Sequence, residues 1–98
     1  MVEAVGQSVT QFKPGDAVYG DISSGSFAEY AAVNEKMLAP KPTNLSFAEA
    51  AAIPIAGLTA IQCLRDHGKL QPGEKILING ASGGVGTYAV QIAKAMGA

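Results

Sequence analysis

An α/β fold is predicted for this chain by three observations. Residues 1–40 carry short strand-like runs separated by Pro-Gly and Gly/Ser-rich turns. From Ser46 onward the apolar spacing becomes that of helices. Close to the end, the apolar run Lys75–Asn79 leads through a glycine-rich turn into a second helical pattern.

The elements follow in order. Met1-Val2-Glu3-Ala4-Val5-Gly6 reads as a strand already under way. In Lys13-Pro14-Gly15-Asp16 proline fixes φ and glycine supplies a positive φ, which is a turn signal. Ala17-Val18-Tyr19-Gly20 then reads as a short strand, Asp21 to Ser26 as a loop, and Phe27 to Val33 as a further strand. Asn34-Glu35-Lys36 is expected to be a hairpin-type turn into Met37-Leu38-Ala39, which Pro40 and Pro42 end.

Ser46-Phe47-Ala48-Glu49 is a capping-box sequence, opening a short helix through Ala52. Pro54 fits only a break or a first helical turn, so a second helix is expected to start there. Ile55, Leu58, Ile61 and Leu64 form its apolar stripe, and His67-Gly68 ends it. Gln71-Pro72-Gly73-Glu74 is another turn. The almost wholly apolar Lys75-Ile76-Leu77-Ile78-Asn79 suits a parallel strand buried on both faces. Val85 to Met96 is predicted helical, with Val85, Tyr88, Ala89, Ile92, Ala95 and Met96 on one face and Gly97 closing it. The chain stops where a helix has just ended and a new strand should begin. Both ends therefore read as cut, and the chain as an internal segment.

Composition narrows the function classes. With 48% hydrophobic and 15% charged residues the chain is a folding one. Seven Lys+Arg against eight Asp+Glu, in no like-charged block, give neither the basic face of a nucleic-acid binder nor a basic membrane-binding helix. No apolar run reaches the ~20 residues that span a bilayer, and no secretory signal is expected from the charge and apolar pattern. A cytoplasmic location is expected. The single cysteine, Cys63, excludes an internal disulfide and a cysteine-rich zinc site, and its apolar neighbours predict a buried thiol.

One motif carries chemistry. In Gly80-Ala81-Ser82-Gly83-Gly84-Val85-Gly86 four of seven residues are glycine, between an apolar strand and a periodic helix. This is the arrangement of a Rossmann-type phosphate site. Glycines permit a sharp turn and close approach of a pyrophosphate, while the helix N-terminus offers unpaired N–H groups and the positive end of its dipole. In the frame ending at Gly86 the first glycine of Gly-x-Gly-x-x-Gly falls on Ala81, so the loop fits Ala-x-Gly-x-x-Gly. A P-loop is excluded, because Val85 and Gly86 stand where its glycine and lysine belong. The Gly-x-x-x-Gly-x-Gly spacing of short-chain dehydrogenases is met by Gly80, Gly84 and Gly86. In that family, however, the loop follows the first strand of the protein, whereas some eighty residues of other character precede it here.

Taken together, Phe12-Lys13-Pro14-Gly15-Asp16-Ala17-Val18, Gly25-Ser26-Phe27-Ala28-Glu29-Tyr30, Ala50-Ala51-Ala52-Ile53-Pro54, Ala56-Gly57-Leu58-Thr59-Ala60 and Asn79 to Gly86 resemble the medium-chain dehydrogenase/reductase superfamily. Within it the likeness is to the zinc-independent quinone oxidoreductase (zeta-crystallin-like) branch, over nearly the whole chain. The resemblance implies that residues 1–40 end a GroES-like β domain and that residues 41–98 open a Rossmann NAD(P)-binding domain with its first β-α unit. It implies hydride transfer from NADPH, with NADH as the alternative, to a quinone or an α,β-unsaturated carbonyl compound. The amides of Ser82, Gly83, Gly84, Val85 and Gly86 would hold the pyrophosphate, and Thr59 matches the threonine beside the nicotinamide. Read without the resemblance, Thr59 is equally a β-branched residue facing the core or capping a helical turn. Glu29, Tyr30 and Asp16 read as structural.

The departures from zinc-dependent relatives are specific. Their cysteine ligand, four residues before that threonine, is Ile55 here, and Ala17 to Phe27 holds no cysteine lobe. No metal is expected, and His67 reads as a helix-end residue. The residue that separates NAD from NADP, about 20 positions past the loop, falls beyond Ala98. The catalytic residues are likewise not identified. A lone β-α unit exposes two strand edges, which predicts self-association into a homo-oligomer. A non-catalytic cofactor-binding or structural Rossmann protein is the alternative reading, and a short-chain dehydrogenase the third.

Overall fold

The structure is a computed structural model and describes residues 1–22 and 24–98; Ser23, in the expected Asp21–Ser26 loop, lies outside the described residues. The chain is mixed α/β and forms two compact units, Met1–Pro54 and Ile55–Ala98.

In the first unit the Lys13–Asp16 turn forms as its sequence requires. Gly15 takes φ +91°, and the Asp16 amide donates to the Lys13 carbonyl at 3.1 Å. The Asp16 carboxylate closes the turn by accepting from the Lys13 amide at 2.9 Å and from its ammonium at 2.6 Å. Strand β1 (Val18–Gly20) pairs antiparallel with β2 (Leu38–Pro40) in the register Val18↔Pro40, Tyr19↔Ala39, Gly20↔Leu38. Glycine is required at Gly20, where a Cβ would lie 2.2 Å from the Met37 carbonyl oxygen. Pro40 is tolerated because it ends an edge strand. Beyond it the Lys41 amide takes up the hydrogen bonding, donating to the Ala17 carbonyl at 2.9 Å.

Three expectations for this unit are corrected. Met1–Gly6 makes no strand; Val2 ties it to the Lys13–Asp16 turn, its amide donating to the Asp16 carbonyl and its carbonyl accepting from the Gly15 amide, both at 2.9 Å. No strand forms over Phe27–Val33, and Phe27 and Tyr30 are exposed. A strand needs a neighbour to receive its N–H and C=O groups, and none pairs with this run. The hairpin turn at Asn34–Lys36 is instead a 3₁₀ turn, Glu35–Met37, capped by the Asn34 side chain accepting from the Lys36 amide at 3.0 Å. An open cavity of about 600 Å³ lies in this unit, with Val2, Val5, Phe12, Val18, Tyr30 and Leu38 among its walls.

Helix α1 (Phe47–Ala51) carries the full capping box. The Glu49 amide donates to Ser46 Oγ at 3.2 Å, and Glu49 Oε2 accepts from the Ser46 amide at 2.8 Å. The Lys41 ammonium sits 5.3 Å from the Phe47 ring centroid, fixing the approach to this helix.

Helix α2 (Pro54–Ile61) starts at proline and runs on as a π-helical segment, Gln62–His67. Its inward positions are Ala60 and Leu64, four residues apart, whereas Ile55 and Leu58 are exposed. Of the stripe expected from hydrophobicity, Leu64 is buried and Ile61 half-buried, while its first two members face outward. The small Ala60 faces inward, where it permits close approach. Cys63 precedes the inward Leu64 and is exposed rather than buried. Gly68 continues the helix at φ −74°, and the left-handed residue is Lys69, at φ +50°. A Cβ on Gly68 would lie 2.9 Å from the Cys63 carbonyl oxygen, so close packing is what demands glycine there.

Helix α3 (Gly84–Ala95) buries Gly86, Ala89 and Ala93. Tyr88, Ile92 and Met96 are half-buried beside them, while Val85 and Ala95 turn outward. The helix ends in a Schellman motif, with the Ala98 amide on the Ala93 carbonyl at 3.1 Å and the Gly97 amide on the Lys94 carbonyl at 3.1 Å. The Gly97 carbonyl accepts from the Gly73 amide at 2.7 Å, tying the Gln71–Glu74 turn to the helix end. The core of this unit is Ala60, Leu64, Leu70, Ala89 and Ala93, with Ile78 packed against it. Lys75–Asn79, expected as a buried strand, has no ladder partner, and Leu77 is 94% exposed. Among the described residues no helix is long and apolar enough to cross a membrane.

Candidate phosphate-binding loop

The glycine loop is built by one backbone oxygen. Gly80, at φ +71°, presents its carbonyl to the Gly83 amide at 3.0 Å, closing a tight turn. Gly83 then caps α3 in an extended conformation (φ −76°, ψ 170°), and the Thr87 amide donates to its carbonyl at 2.9 Å, the first bond of the helix. As the first three helical residues, Gly84, Val85 and Gly86 have amides with no intrahelical acceptor.

The glycines are required for different reasons. A Cβ on Gly86 would lie 2.3 Å from the Gly80 carbonyl oxygen and 2.7 Å from the Ala81 Cα, a collision with backbone that nothing can relieve cheaply. Gly86 therefore lets the helix start lie directly on the turn. At Gly84 a Cβ would meet no protein atom within 4 Å, and at Gly83 only the Gly80 carbonyl oxygen, at 3.3 Å. Glycine in a helix costs about 1 kcal/mol relative to alanine. Protein packing gives no return for that cost at Gly84. The position a side chain would take at Gly84 is open space.

The first turn of α3 carries no acidic residue. No charged residue occurs from Asn79 to Ala93, so no carboxylate of that segment caps the positive end of the helix dipole. Ser82 is exposed. The Gly83 amide, expected among the pyrophosphate donors, is already engaged by Gly80. Gly80 itself, which sequence reading used only as a spacing residue, is the keystone of the turn; its signal was the glycine directly after an apolar strand pattern.

Thr59 lies on α2 and is exposed. Its Oγ1 donates to the Ile55 carbonyl at 2.7 Å, the i−4 back-bond of a helical threonine, so its proton is spoken for and its lone pairs are free to accept. Among the described residues no three His, Cys, Asp or Glu side chains gather as a metal site.

Known proteins resemble the chain in sequence and in fold. No protein-family model matches the chain. It is 48% identical over 103 residues to a 2-methylene-furan-3-one reductase of Solanum lycopersicum, covering 96% of this chain and 26% of that protein. An alcohol dehydrogenase superfamily protein from Novosphingobium aromaticivorans superposes with a TM-score of 0.95 at 42% identity, over 98% of this chain and 31% of the other. The quinone oxidoreductase from Thermus thermophilus, solved also in complex with NADPH, matches with a TM-score of 0.72 at 44% identity, over 80% of this chain and 26% of that one. The chain thus spans less than a third of the length of each. Over that span it belongs to the medium-chain dehydrogenase/reductase superfamily, as a homologue of its quinone oxidoreductases and enone reductases.

Proposed function

We propose that this chain supplies the pyrophosphate-binding loop of an NADPH-dependent oxidoreductase that passes hydride to a quinone or an α,β-unsaturated carbonyl compound. The observation that carries the reading is the start of α3, with free amides at Gly84, Val85 and Gly86 and open space at Gly84. These residues fit the group: a pyrophosphate needs N–H donors, a positive helix end and room for its oxygens, and all three are present. The Ser82, Gly84, Val85 and Gly86 amides hold the phosphates, and Gly83 shapes the turn that aims them. With no lysine or arginine in the loop, binding relies on backbone donors. Thr59, as an acceptor, orients the nicotinamide end. When bound, the nicotinamide supplies the hydride.

In this reading residues 1–40 close a GroES-like β domain and residues 41–98 open the Rossmann domain. NADPH is preferred over NADH by analogy with the Thermus thermophilus enzyme, which was solved in complex with NADPH. The acceptor class follows from the relatives: 2-methylene-furan-3-one, by its name, is an α,β-unsaturated ketone, and the other is a quinone oxidoreductase. A cytoplasmic protein fits this chemistry. The non-catalytic and short-chain dehydrogenase readings are not favoured by these relatives.

The test is a fluorescence titration with NADPH, in the wild type and in Gly84→Ala. The substitution should weaken binding by roughly tenfold or more, about 1.4 kcal/mol, while leaving thermal stability unchanged or slightly higher. Equal affinity in the two proteins would mean that the space at Gly84 is not where phosphate sits.

A further inference from the structure

We propose that Asn79 is a site of self-modification, where attack by the Gly80 amide nitrogen on the asparagine side chain leaves a carboxylate at the entrance of the glycine loop. The reaction does not rest on the cofactor reading; its effect on NADPH does. The chemistry is that of an asparagine followed by a glycine. The Gly80 nitrogen loses its proton and bonds to Asn79 Cγ, closing a five-membered succinimide, while the side-chain nitrogen leaves as ammonia. Water then opens the ring at either carbonyl and gives aspartate or isoaspartate. One amide is exchanged for one carboxylate, with nothing oxidised or reduced.

Two observations single out this position. The chain has three asparagines, Asn34, Asn44 and Asn79, followed by Glu35, Leu45 and Gly80. Only Gly80 has no Cβ to obstruct the approach of its nitrogen. Hydrogen bonding separates them further. The Asn34 side chain is held, its Oδ1 accepting from the Lys36 amide at 3.0 Å. At Asn44 the attacking nitrogen is held, since the Leu45 amide donates to the Pro42 carbonyl at 3.3 Å. Among the described residues neither the Asn79 side chain nor the Gly80 amide makes a hydrogen bond. Asn79 is also exposed, so water reaches the ring. Gly80 belongs to the turn rather than to the apolar run before it: it takes φ +71°, and its carbonyl accepts from the Gly83 amide at 3.0 Å.

The product changes the loop. Because the Gly80 carbonyl holds the amide of Gly83, the cap of α3, Asn79 stands one residue from the group that sets the helix start. No charged residue occurs from Asn79 to Ala93, so a carboxylate at 79 would be the only charge in the loop. It would repel a phosphate and compete with it for the positive end of the helix. Isoaspartate also lengthens the backbone by one methylene directly before Gly80. On the cofactor reading, either product lowers the affinity of the loop for pyrophosphate as the molecule ages.

The experiment holds the wild-type 98-residue chain in mildly alkaline buffer for days and follows each asparagine by peptide mass spectrometry. Asn79 should gain the mass of an NH-to-O exchange roughly tenfold or more faster than Asn34 or Asn44, a barrier lower by about 1.4 kcal/mol. The rate should rise with pH, because the nitrogen attacks only after losing its proton. The products should include isoaspartate, which direct hydrolysis of the side chain does not give. Asn79→Gln, whose ring would need a sixth member, should not convert over the same period. Fluorescence titration with NADPH reads the consequence: Asn79→Asp should bind roughly fivefold or more weakly than wild type, and Asn79→Gln within about twofold of it. Conversion of Asn79 no faster than that of Asn34 or Asn44, or products free of isoaspartate, overturns the modification. Equal NADPH affinity in wild type and Asn79→Asp overturns its effect on the loop. If wild type and both variants all ignore NADPH, the cofactor reading falls and that effect with it, while the mass spectra still decide the reaction at Asn79.

Discussion

At the scale of single residues, glycines with the same name do different work. Gly86 is demanded by backbone contact, so Gly86→Ala should destabilise the chain by about 1–3 kcal/mol, read as a lowered midpoint of thermal unfolding. An unchanged midpoint would mean that the helix start shifts freely off the turn. The close approach at Gly86 was legible from sequence, because glycine one turn inside a helix after a glycine loop has few other uses. The engagement of the Gly83 amide was not, since it depends on where the Gly80 carbonyl points. The exposure of Cys63 was hidden for a related reason. Apolar neighbours in sequence do not say which way a helix is turned, and the inward position here belongs to Leu64.

At the scale of elements, what was local was legible. The two Pro-Gly turns, the capping box at Ser46 and the helix end at Gly97 are each determined by side chains and φ values within a few residues. Strands were not legible in the same way. Phe27–Val33 and Lys75–Asn79 have strand composition, but a strand is completed by a partner elsewhere, and these runs lack one. The capping box also carries a pH dependence. Hydrogen bonds from the Ser46 amide and then the Ser46 hydroxyl hold the Glu49 carboxyl below its ordinary value of 4.5. A lowered folded-state value means that α1 gains stability above the unfolded-state value and loses it as pH falls through the folded one. The Asp16 carboxyl is lowered likewise, chiefly by the Lys13 ammonium and then the Lys13 amide. Acid titration followed by NMR should therefore show the Ser46 and Lys13 amides losing their downfield shifts together with protonation of Glu49 and Asp16, below the ordinary carboxylate range. Loss of either at a higher pH would contradict these pairings.

At the scale of the whole molecule, each unit is small. The core of the second unit is three alanines and two leucines, with Ile78 beside them, which buries little apolar area. The chain matches under a third of the length of the relatives compared above. Accordingly the 98-residue chain should show no turnover in a steady-state assay of NADPH oxidation with a quinone. A rate that scales with chain concentration would show that the reacting groups are all within it. Family and general α/β character were readable from five ordered motifs, whereas the acceptor and the NADP/NAD choice depend on residues that these motifs do not include.

The central claim is that phosphate is held by the backbone at the start of α3. It is tested most directly by titrating the nitrogen-15-labelled chain with NADPH at low salt and following the backbone amides. The account predicts shifts concentrated on Ser82, Gly84, Val85 and Gly86, with Gly83 moving less because its amide already serves Gly80. A well-dispersed spectrum in which these amides ignore NADPH, or in which the largest shifts fall elsewhere, would contradict it.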